Sequence, residues 1–566
     1  MAKNGRHATR ASTVGRSGAN GVFRADNNLT GLRLKGMEAF DKSDFEGACS
    51  YFTQCLTLKP DDQLSHRLLG TAYARIGRTR DALQTLQTAI RLRPSDAVSW
   101  YETANLLADI NQCNAALKAY FQALRFKPDY VQAAHNRADL LVSMGKVGEA
   151  VDEYRRILRE YPDCGTSRDN LLLALNYLPE EKPENVFAEH VRLCNRVART
   201  RSVPLSVSPP PPLRIGLVSA DFRRHSVAYF IRPLLGNTEE TEVYCYASVN
   251  RPDRMTEVLK NEASHWRDIS KLDDSDSAHL IAHDGIHVLV DLSGHTAGNR
   301  LGIFAYRPAP VSATYLGYPN TTALPQMDYR ITAQTAEPPD MEDYYTEKPV
   351  FLPNGFLCYS PPDNTPDPRE DDKSRPLTFA SFNNIAKISD QTIEAWCEIL
   401  KRSSGSRLLM KYGRLGDRAV AEELAGRFSR FGIERDRLDF HGETEDPWEH
   451  LEYYRKVDIA LDIIGYNGTT TTCEALWMGV PVVTYAGDRH CQLVGASILG
   501  QLGVPDWVAS NMEEYLETAV RLGEQPPQLR GATLRSHMRS SSLCDRAAFS
   551  RAFRGLMYRL WNECGM

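Results

Sequence analysis

The chain runs to 566 residues, too many for one core and enough for three to four domains at roughly 150 residues each. Hydrophobic residues make up 42% and charged residues 25%, with a mean hydropathy of −0.41 and no run of about 18 apolar residues, which excludes a disordered or membrane-spanning chain and predicts a cytoplasmic protein with no membrane partner. A balance of 67 Lys and Arg against 72 Asp and Glu argues against a nucleic-acid partner, and the 12 cysteines, with no Cys-x-x-Cys pair, read as reduced thiols and not as zinc ligands or disulfides.

Residues 1–27 carry Lys3, Arg6, Arg10, Arg16 and Arg24 with no acid before Asp26 and almost no large apolar side chains. Such a basic tail cannot bury enough surface to order itself; it is an arm for an acidic partner or simply solvated. Over residues 28–164 the chain repeats itself, with Pro60, Pro94, Pro128 and Pro162 spaced by 34. Gly36, Gly70, Ala104 and Ala138 stand 24 residues before these prolines, and Ala48, Ala82, Ala116 and Ala150 stand 12 before them. Small residues mark close helix crossings and each proline ends a second helix, so every unit is a pair of short helices. This resembles the tetratricopeptide repeat, and four stacked units predict a superhelix whose concave face holds an extended peptide or a partner helix.

Residues 165–203 read as connecting helices, with Leu171, Leu172, Leu175, Phe187, His190 and Val191 at near-helical spacing. Five prolines within residues 204–212 make a stiff linker. An α/β pattern follows over 213–360, with strand-like runs at Ile215–Ser219, Val243–Ala247, His287–Leu292 and Val311–Leu316. After a second Pro- and Asp-rich linker, 361–376, the pattern restarts over 377–535 at Thr378–Phe382, Arg407–Lys411, Leu438–His441, Ile459–Asp462 and Val482–Tyr485. The fold class is therefore α followed by α/β: repeats, then two Rossmann-like, doubly wound lobes with the ligand expected where their strand ends face each other. Residues 536–566 read as an amphipathic helix packing on a lobe.

Walker and Gly-x-Gly-x-x-Gly motifs are missing. In their place Gly465-Tyr-Asn-Gly-Thr-Thr-Thr-Thr-Cys-Glu474 stands between a strand and a helix. Gly468 admits a ligand close to the backbone, and Thr469, Thr470, Thr471 and Thr472 offer hydroxyls beside free N–H groups, a cradle for a diphosphate. One cap residue would suffice for a buried helix start. Phe382-Asn-Asn-Ile-Ala-Lys387 puts a lysine at the same strand-end edge, where it can neutralise a leaving diphosphate. In the first lobe, the loops carrying His225 and Gly294-His295-Thr296 also end strands, and a histidine there can hold a substrate oxygen or move a proton. His287, inside its strand, reads as core. Asp274-Ser-Asp276 matches a metal-holding Asp-x-Asp pattern but reads as a helix cap in a solvated loop.

Taken in order, the repeats, Leu213–His225, Asp284–Thr296, Arg307-Pro-Ala-Pro310, Leu316-Gly-Tyr-Pro319 and Phe382–Lys387 resemble the O-linked N-acetylglucosamine transferase family over almost everything from residue 30 onward. The resemblance implies a GT-B fold and an inverting, metal-independent transfer, with no cofactor beyond the nucleotide-sugar donor, to Ser or Thr of proteins. By position it implies that His225 is the active-site histidine, Lys387 the diphosphate-binding lysine and Asn384 a neighbour of the donor. It further implies that His450 lies near the nucleotide, that Thr470 and Thr471 contact phosphate, that Glu474 holds the ribose, and that Leu316 and Gly317 turn a backbone amide to the sugar. Thr469 stands where animal members have histidine and Pro447 where they have a lysine near the base. The Thr-rich run is instead similar to the SPINDLY branch, which implies GDP-fucose as an alternative to UDP-N-acetylglucosamine. Of the family's asparagine ladder only Asn136 is kept, with Leu34, Leu68 and Glu102 elsewhere.

Overall fold

The computed structural model describes residues 17–194, 202–205, 207–368, 374–444 and 446–565, with side chains from Asn28 onward. It divides into two compact units, one ending at Arg137 and the other beginning at Ala138.

The first unit is helical: α1 (Ser17–Asp41), α2 (Phe45–Leu58), α3 (Gln63–Arg75), α4 (Thr79–Leu92), α5 (Ala97–Asp109), α6 (Cys113–Phe126) and the start of α7 (Val131–Ser143). The spacing of small residues explains the pairing. Ala48, Ala82, Ala104 and Ala116 are fully buried, and a methyl group at Gly36 would lie 2.5 Å from the Phe52 ring, one at Gly70 2.7 Å from Leu86. Pro60, Pro94 and Pro128 follow the ends of α2, α4 and α6, and Asp62 and Asp96 restart the chain by accepting the N–H groups of Ser65 and Ser99. Residues 1–16 of the basic tail lie outside the described residues, but α1 already runs from Ser17, where the tail was expected to lack order to residue 27. Once a helix is nucleated, each further residue adds a hydrogen bond at small cost, so the buried stretch beginning at Leu29 can extend it backwards.

The second unit opens with the rest of α7, then α8 (Val147–Glu160), α9 (Gly165–Leu175) and α10 (Pro183–Cys194). Two wholly parallel sheets follow. The first contains β1 (Leu213–Ser219), β2 (Thr241–Ala247), β3 (His265–Asp268), β4 (Val288–Asp291), β5 (Val311–Tyr315), β6 (Tyr329–Thr332) and β7 (Lys348–Phe351), in the order β3-β2-β1-β4-β5-β6-β7. The second contains β8 (Thr378–Ser381), β9 (Arg407–Lys411), β10 (Leu438–His441), β11 (Ile459–Leu461), β12 (Val482–Tyr485) and β13 (Val508–Ala509), in the order β10-β9-β8-β11-β12-β13. In each sheet the strand order reverses beside the first strand, between β1 and β4 and between β8 and β11. Loops leaving those strands diverge and open a crevice, which is where open α/β sheets bind ligands.

The expected C-terminal helix is two helices, Gly531–Ser540 and Arg546–Cys564, and the second crosses back to the first lobe, where Tyr558 donates to the Glu240 carbonyl at 2.7 Å. Across the lobes, Nδ1 of His490 meets the Glu337 carboxylate at 2.8 Å and the Thr335 and Ser497 hydroxyls meet at 2.8 Å. Among the described residues no helix is long and apolar enough to cross a membrane.

Candidate active site

The crevice of the second sheet lies between the loops after β8 and β11, and these carry the two strongest sequence motifs. After β11, Asp462 turns inward with 2% of its surface exposed and accepts the N–H of Gly468 at 2.6 Å, the N–H of Ile463 at 2.8 Å and the Thr484 hydroxyl at 2.7 Å. Burial raises its carboxyl to about 6, against these hydrogen bonds and the charge of Lys387. The loop is thereby folded back onto its own strand and delivers Gly468 and Thr469 to the start of the helix Thr470–Trp477.

That helix start is not closed by a cap: among the described residues, Thr469 makes no side-chain capping bond. Thr472 donates to the Gly468 carbonyl at 3.1 Å and Thr471 to the Asn383 side-chain oxygen at 2.9 Å. The Thr470 hydroxyl oxygen is buried and has no hydrogen-bond partner among the described residues. A buried hydroxyl without a partner costs roughly 1–3 kcal/mol, which a ligand oxygen at that place would remove.

After β8, a short turn held by Asn384, whose side-chain oxygen accepts the N–H of Ala386 at 3.0 Å, presents Lys387. Its Nζ donates to the Asn467 carbonyl at 3.3 Å and lies 3.9 Å from the centre of the Tyr466 ring. Burial lowers the Lys387 ammonium to about 8, opposed by the Asp462 charge. Asn384 therefore spends its oxygen on its own turn, and Asn383, which the sequence reading passed over, is the residue that reaches the threonines.

A second chain of contacts lies beside the cradle. Lys411, the last residue of β9, donates to Nδ1 of His450 at 3.0 Å, and Nε2 of His450 meets Glu474 at 3.2 Å. An ammonium can only donate, so Nδ1 is the acceptor and Nε2–H points at the carboxylate. Phe382 packs edge-on to His450 at 5.7 Å between ring centres. Lys411, 4% exposed, is lowered by burial, with Glu443 and Glu474 opposing. The missed signal was its place: a lysine at the carboxyl end of a strand, as with the loop that carries Lys387.

In the first lobe, His225 lies in the loop after β1. Its Nδ1 accepts the Val227 N–H at 3.4 Å and stands 3.6 Å from the Asp221 carboxylate. Burial lowers its pKa, with Asp221 opposing; with Nδ1 accepting the Val227 N–H, Nε2 is the ring nitrogen left to act as a donor. The two lobes are in electrostatic reach: Glu474 helps raise the Tyr229 phenol and Arg224 helps lower Lys411. Leu316, just after β5, has φ of 70°, and a methyl group at Gly317 would lie 1.9 Å from the Leu292 carbonyl. Only glycine lets this loop lie against the loop after β4.

The expectation that His295 touches sugar or acceptor is corrected. His295 is 1% exposed, with Nδ1 2.9 Å from Asp169 of α9 and Nε2 2.8 Å from the Thr322 carbonyl. Burial alone would lower it, but Cys194 and Asp169 raise it to about 10, so it is an internal cation joining α9 to the lobe. Thr296 donates to the Ser293 carbonyl at 2.8 Å within its turn. His287 is buried as expected, accepting the Arg214 N–H at 2.9 Å. Asp273 caps the helix Asp274–His283 through the Asp276 N–H, and Asp274 pairs with Arg300 at 2.7 Å. The retained Asn136 donates to Asn105 at 3.0 Å and to Tyr101 at 3.1 Å.

The sequence profile of glycosyl transferase family 41 matches residues 179–360 and 372–551, and a tetratricopeptide repeat profile matches 33–97 and 101–163. The chain belongs to glycosyl transferase family 41. Within the family it is similar to a tomato (Solanum lycopersicum) protein named as a probable UDP-N-acetylglucosamine–peptide N-acetylglucosaminyltransferase SPINDLY, with 38% identity over 408 residues, covering 70% of this chain and 44% of that one. The corresponding SEC protein of Arabidopsis thaliana is 30% identical over 367 residues, covering 62% of this chain and 37% of its own. The chain thus spans less than half the length of these curated relatives. Among solved structures, a mutant O-GlcNAc transferase of Thermobaculum terrenum matches with a TM-score of 0.73 at 29% identity, over 96% of this chain and 98% of that one. The repeats followed by two parallel-sheet lobes are accordingly the architecture of a family member with a GT-B fold.

Proposed function

We propose that this family 41 member is a protein O-glycosyltransferase that moves a sugar from a nucleoside-diphosphate donor to Ser or Thr of a protein, with inversion at the anomeric carbon. The observation that carries the reading is the partnerless Thr470 hydroxyl at an uncapped helix start, on the same loop whose Asn467 carbonyl receives the Lys387 ammonium. An ammonium, hydroxyls and helix N–H groups around one space are what a departing diphosphate needs. As the acceptor oxygen bonds to the anomeric carbon, the bond from that carbon to the diphosphate oxygen breaks, the diphosphate leaves with the electron pair, and the acceptor hydroxyl's proton passes to a diphosphate oxygen. Lys387, Thr470 and Thr471 stabilise the charge gathering on the leaving group, and His225 donates through Nε2 to a substrate oxygen. Lys387 supplies the cation, so no metal is required. His450 and Glu474, fixed by Lys411, flank the nucleoside.

The donor is UDP-N-acetylglucosamine, as the names of the relatives state for them. The Thr469–Glu474 run, of the SPINDLY kind, makes GDP-fucose the second donor to test. The acceptor is a protein presented by the repeats, and the place of work is the cytoplasm. The test is transfer from each donor to a protein acceptor in EDTA, read by intact mass. A sugar mass added to the acceptor with either donor supports the proposal. Binding of both donors without any transfer, in a protein whose relatives turn over in the same assay, overturns it.

A further inference from the structure

Three consecutive residues of the turn after α9 touch the second lobe, two of them at the cradle loop. The Tyr177 ring packs on the Tyr466 ring, with centres 5.3 Å apart and planes at 57°. The Leu178 carbonyl accepts the Arg489 guanidinium at 3.3 Å. Pro179 sits where a methyl group at Gly465 would come within 3.1 Å, and Gly465 has φ of 109°, so this close approach depends on glycine. Tyr466 is thus wedged between the turn and the lysine loop, and Nζ of Lys387 stands over its ring at 3.9 Å.

A lysine side chain has four rotatable bonds and a strongly hydrated head, so a partly buried one needs something to hold its direction. The Asn467 carbonyl supplies one contact at 3.3 Å. The negative face of an aromatic ring supplies another without neutralising the charge, which a carboxylate at the same place would do. The bare ring face leaves the remaining ammonium protons for an anion.

We propose that Tyr466 is a positioning residue: its ring, braced by Tyr177, seats the Lys387 ammonium so that it faces the donor's diphosphate. This rests on the reading of Lys387 as the diphosphate contact. The turn that ends the repeat-side helices thereby helps set the geometry of the leaving-group site. A purely structural tyrosine would stabilise the lobe without distinguishing one phosphate from two, whereas a seat for Lys387 acts on the diphosphate preference alone.

The test uses the full chain and calorimetric affinities for UDP against UMP and for GDP against GMP. Lys387→Met is expected to remove the preference for the diphosphate. Tyr466→Leu should cost about tenfold of diphosphate affinity and leave the monophosphate unchanged, while Tyr466→Phe, which keeps the ring face, should bind as the parent does. Tyr177→Leu should fall between them. Should Tyr466→Leu fold poorly, Tyr466→Met, an apolar filler of similar reach, replaces it. If Lys387→Met loses the preference but Tyr466→Leu and Tyr466→Met keep it, the seat is refuted and the reading of Lys387 stands. If Tyr466→Phe loses as much as Tyr466→Leu, the hydroxyl and not the ring face matters, and the proposal is again overturned. A Lys387→Met protein that keeps the preference, or a parent chain that shows none for either base, overturns the underlying reading as well.

Discussion

Gly468→Ala probes the cradle at its tightest point. The added methyl would lie 2.5 Å from the Thr471 hydroxyl oxygen and 2.9 Å from both the Asn383 side-chain oxygen and the Thr472 hydroxyl oxygen, all below van der Waals contact. The backbone cannot retreat freely, because the Gly468 N–H is bonded at 2.6 Å to the buried Asp462 carboxylate, which also holds Ile463 and Thr484. Thr471 and Asn383 must therefore part, breaking their 2.9 Å bond and shifting Thr471 at the place where the proposal puts the diphosphate. Overpacking of this kind costs about 1–3 kcal/mol of stability. Losing the aim of one or two hydrogen bonds to a charged ligand, at about 1.5–3 kcal/mol each, should weaken diphosphate binding by at least about tenfold. Gly426→Ala is the control: it lies in the helix Arg418–Arg430 with nothing within 4 Å of the new methyl, and should gain about 0.5–1 kcal/mol. Thermal unfolding and calorimetric titration with UDP and GDP read both quantities. A Gly468→Ala protein with parental stability and parental affinity would refute the geometry.

Diphosphate affinity should depend on pH through Lys387: its free-protein value of about 8, set by burial against Asp462, leaves it charged below that pH and neutral above. A bound diphosphate favours the charged form, so affinity should hold level below pH 8 and fall by up to about tenfold per unit above it; titrations across that range should show the slope, and Lys387→Met should abolish it. His295→Ala should destabilise the fold by about 1.5–3 kcal/mol, because the buried Asp169 carboxylate loses a charged hydrogen-bond partner and keeps only Arg168 at 3.0 Å and Asn299 at 2.9 Å, yet leave nucleotide affinity per folded molecule unchanged; denaturant unfolding beside titration checks this. Removing residues 1–127 should keep diphosphate affinity within about twofold, since the second unit, which begins at Ala138, is kept whole. A cut after residue 163 also removes α8, and with it the 2.9 Å pair of Lys146 with Glu423, so it should lower the melting temperature and weaken binding.

The repeats were legible because their signal is steric and periodic: the same small residues recur wherever two helices cross. Strands β1, β2, β4, β5, β8, β9, β11 and β12 were legible as parallel strands inside their sheets, whose covered faces leave apolar runs, and the edge strand β10, Leu-Asp-Phe-His, was legible from its alternating Leu and Phe. The strands β3, β6 and β7, reading His-Trp-Arg-Asp, Tyr-Arg-Ile-Thr and Lys-Pro-Val-Phe, were not, because an edge or near-edge strand is half polar, and β13 has only two residues. Lys387 and the threonines were visible from their places after strands. Tyr177, Asp462 and Asn383 were not, because their partners are distant in sequence or made by loop geometry. His295 misled for the opposite reason, since its Gly-His-Thr setting promised an open loop and gave no sign that Asp169, far earlier in the chain, fills the space beside the ring.

The most direct test of the central claim is to incubate the full chain with a protein acceptor and either UDP-N-acetylglucosamine or GDP-fucose, and to follow both the acceptor's intact mass and the released nucleoside diphosphate. The account predicts one sugar mass gained per diphosphate released, sharply reduced by Lys387→Met while the protein stays folded. Transfer that proceeds undiminished in Lys387→Met, or diphosphate binding that the substitution leaves intact, would contradict it.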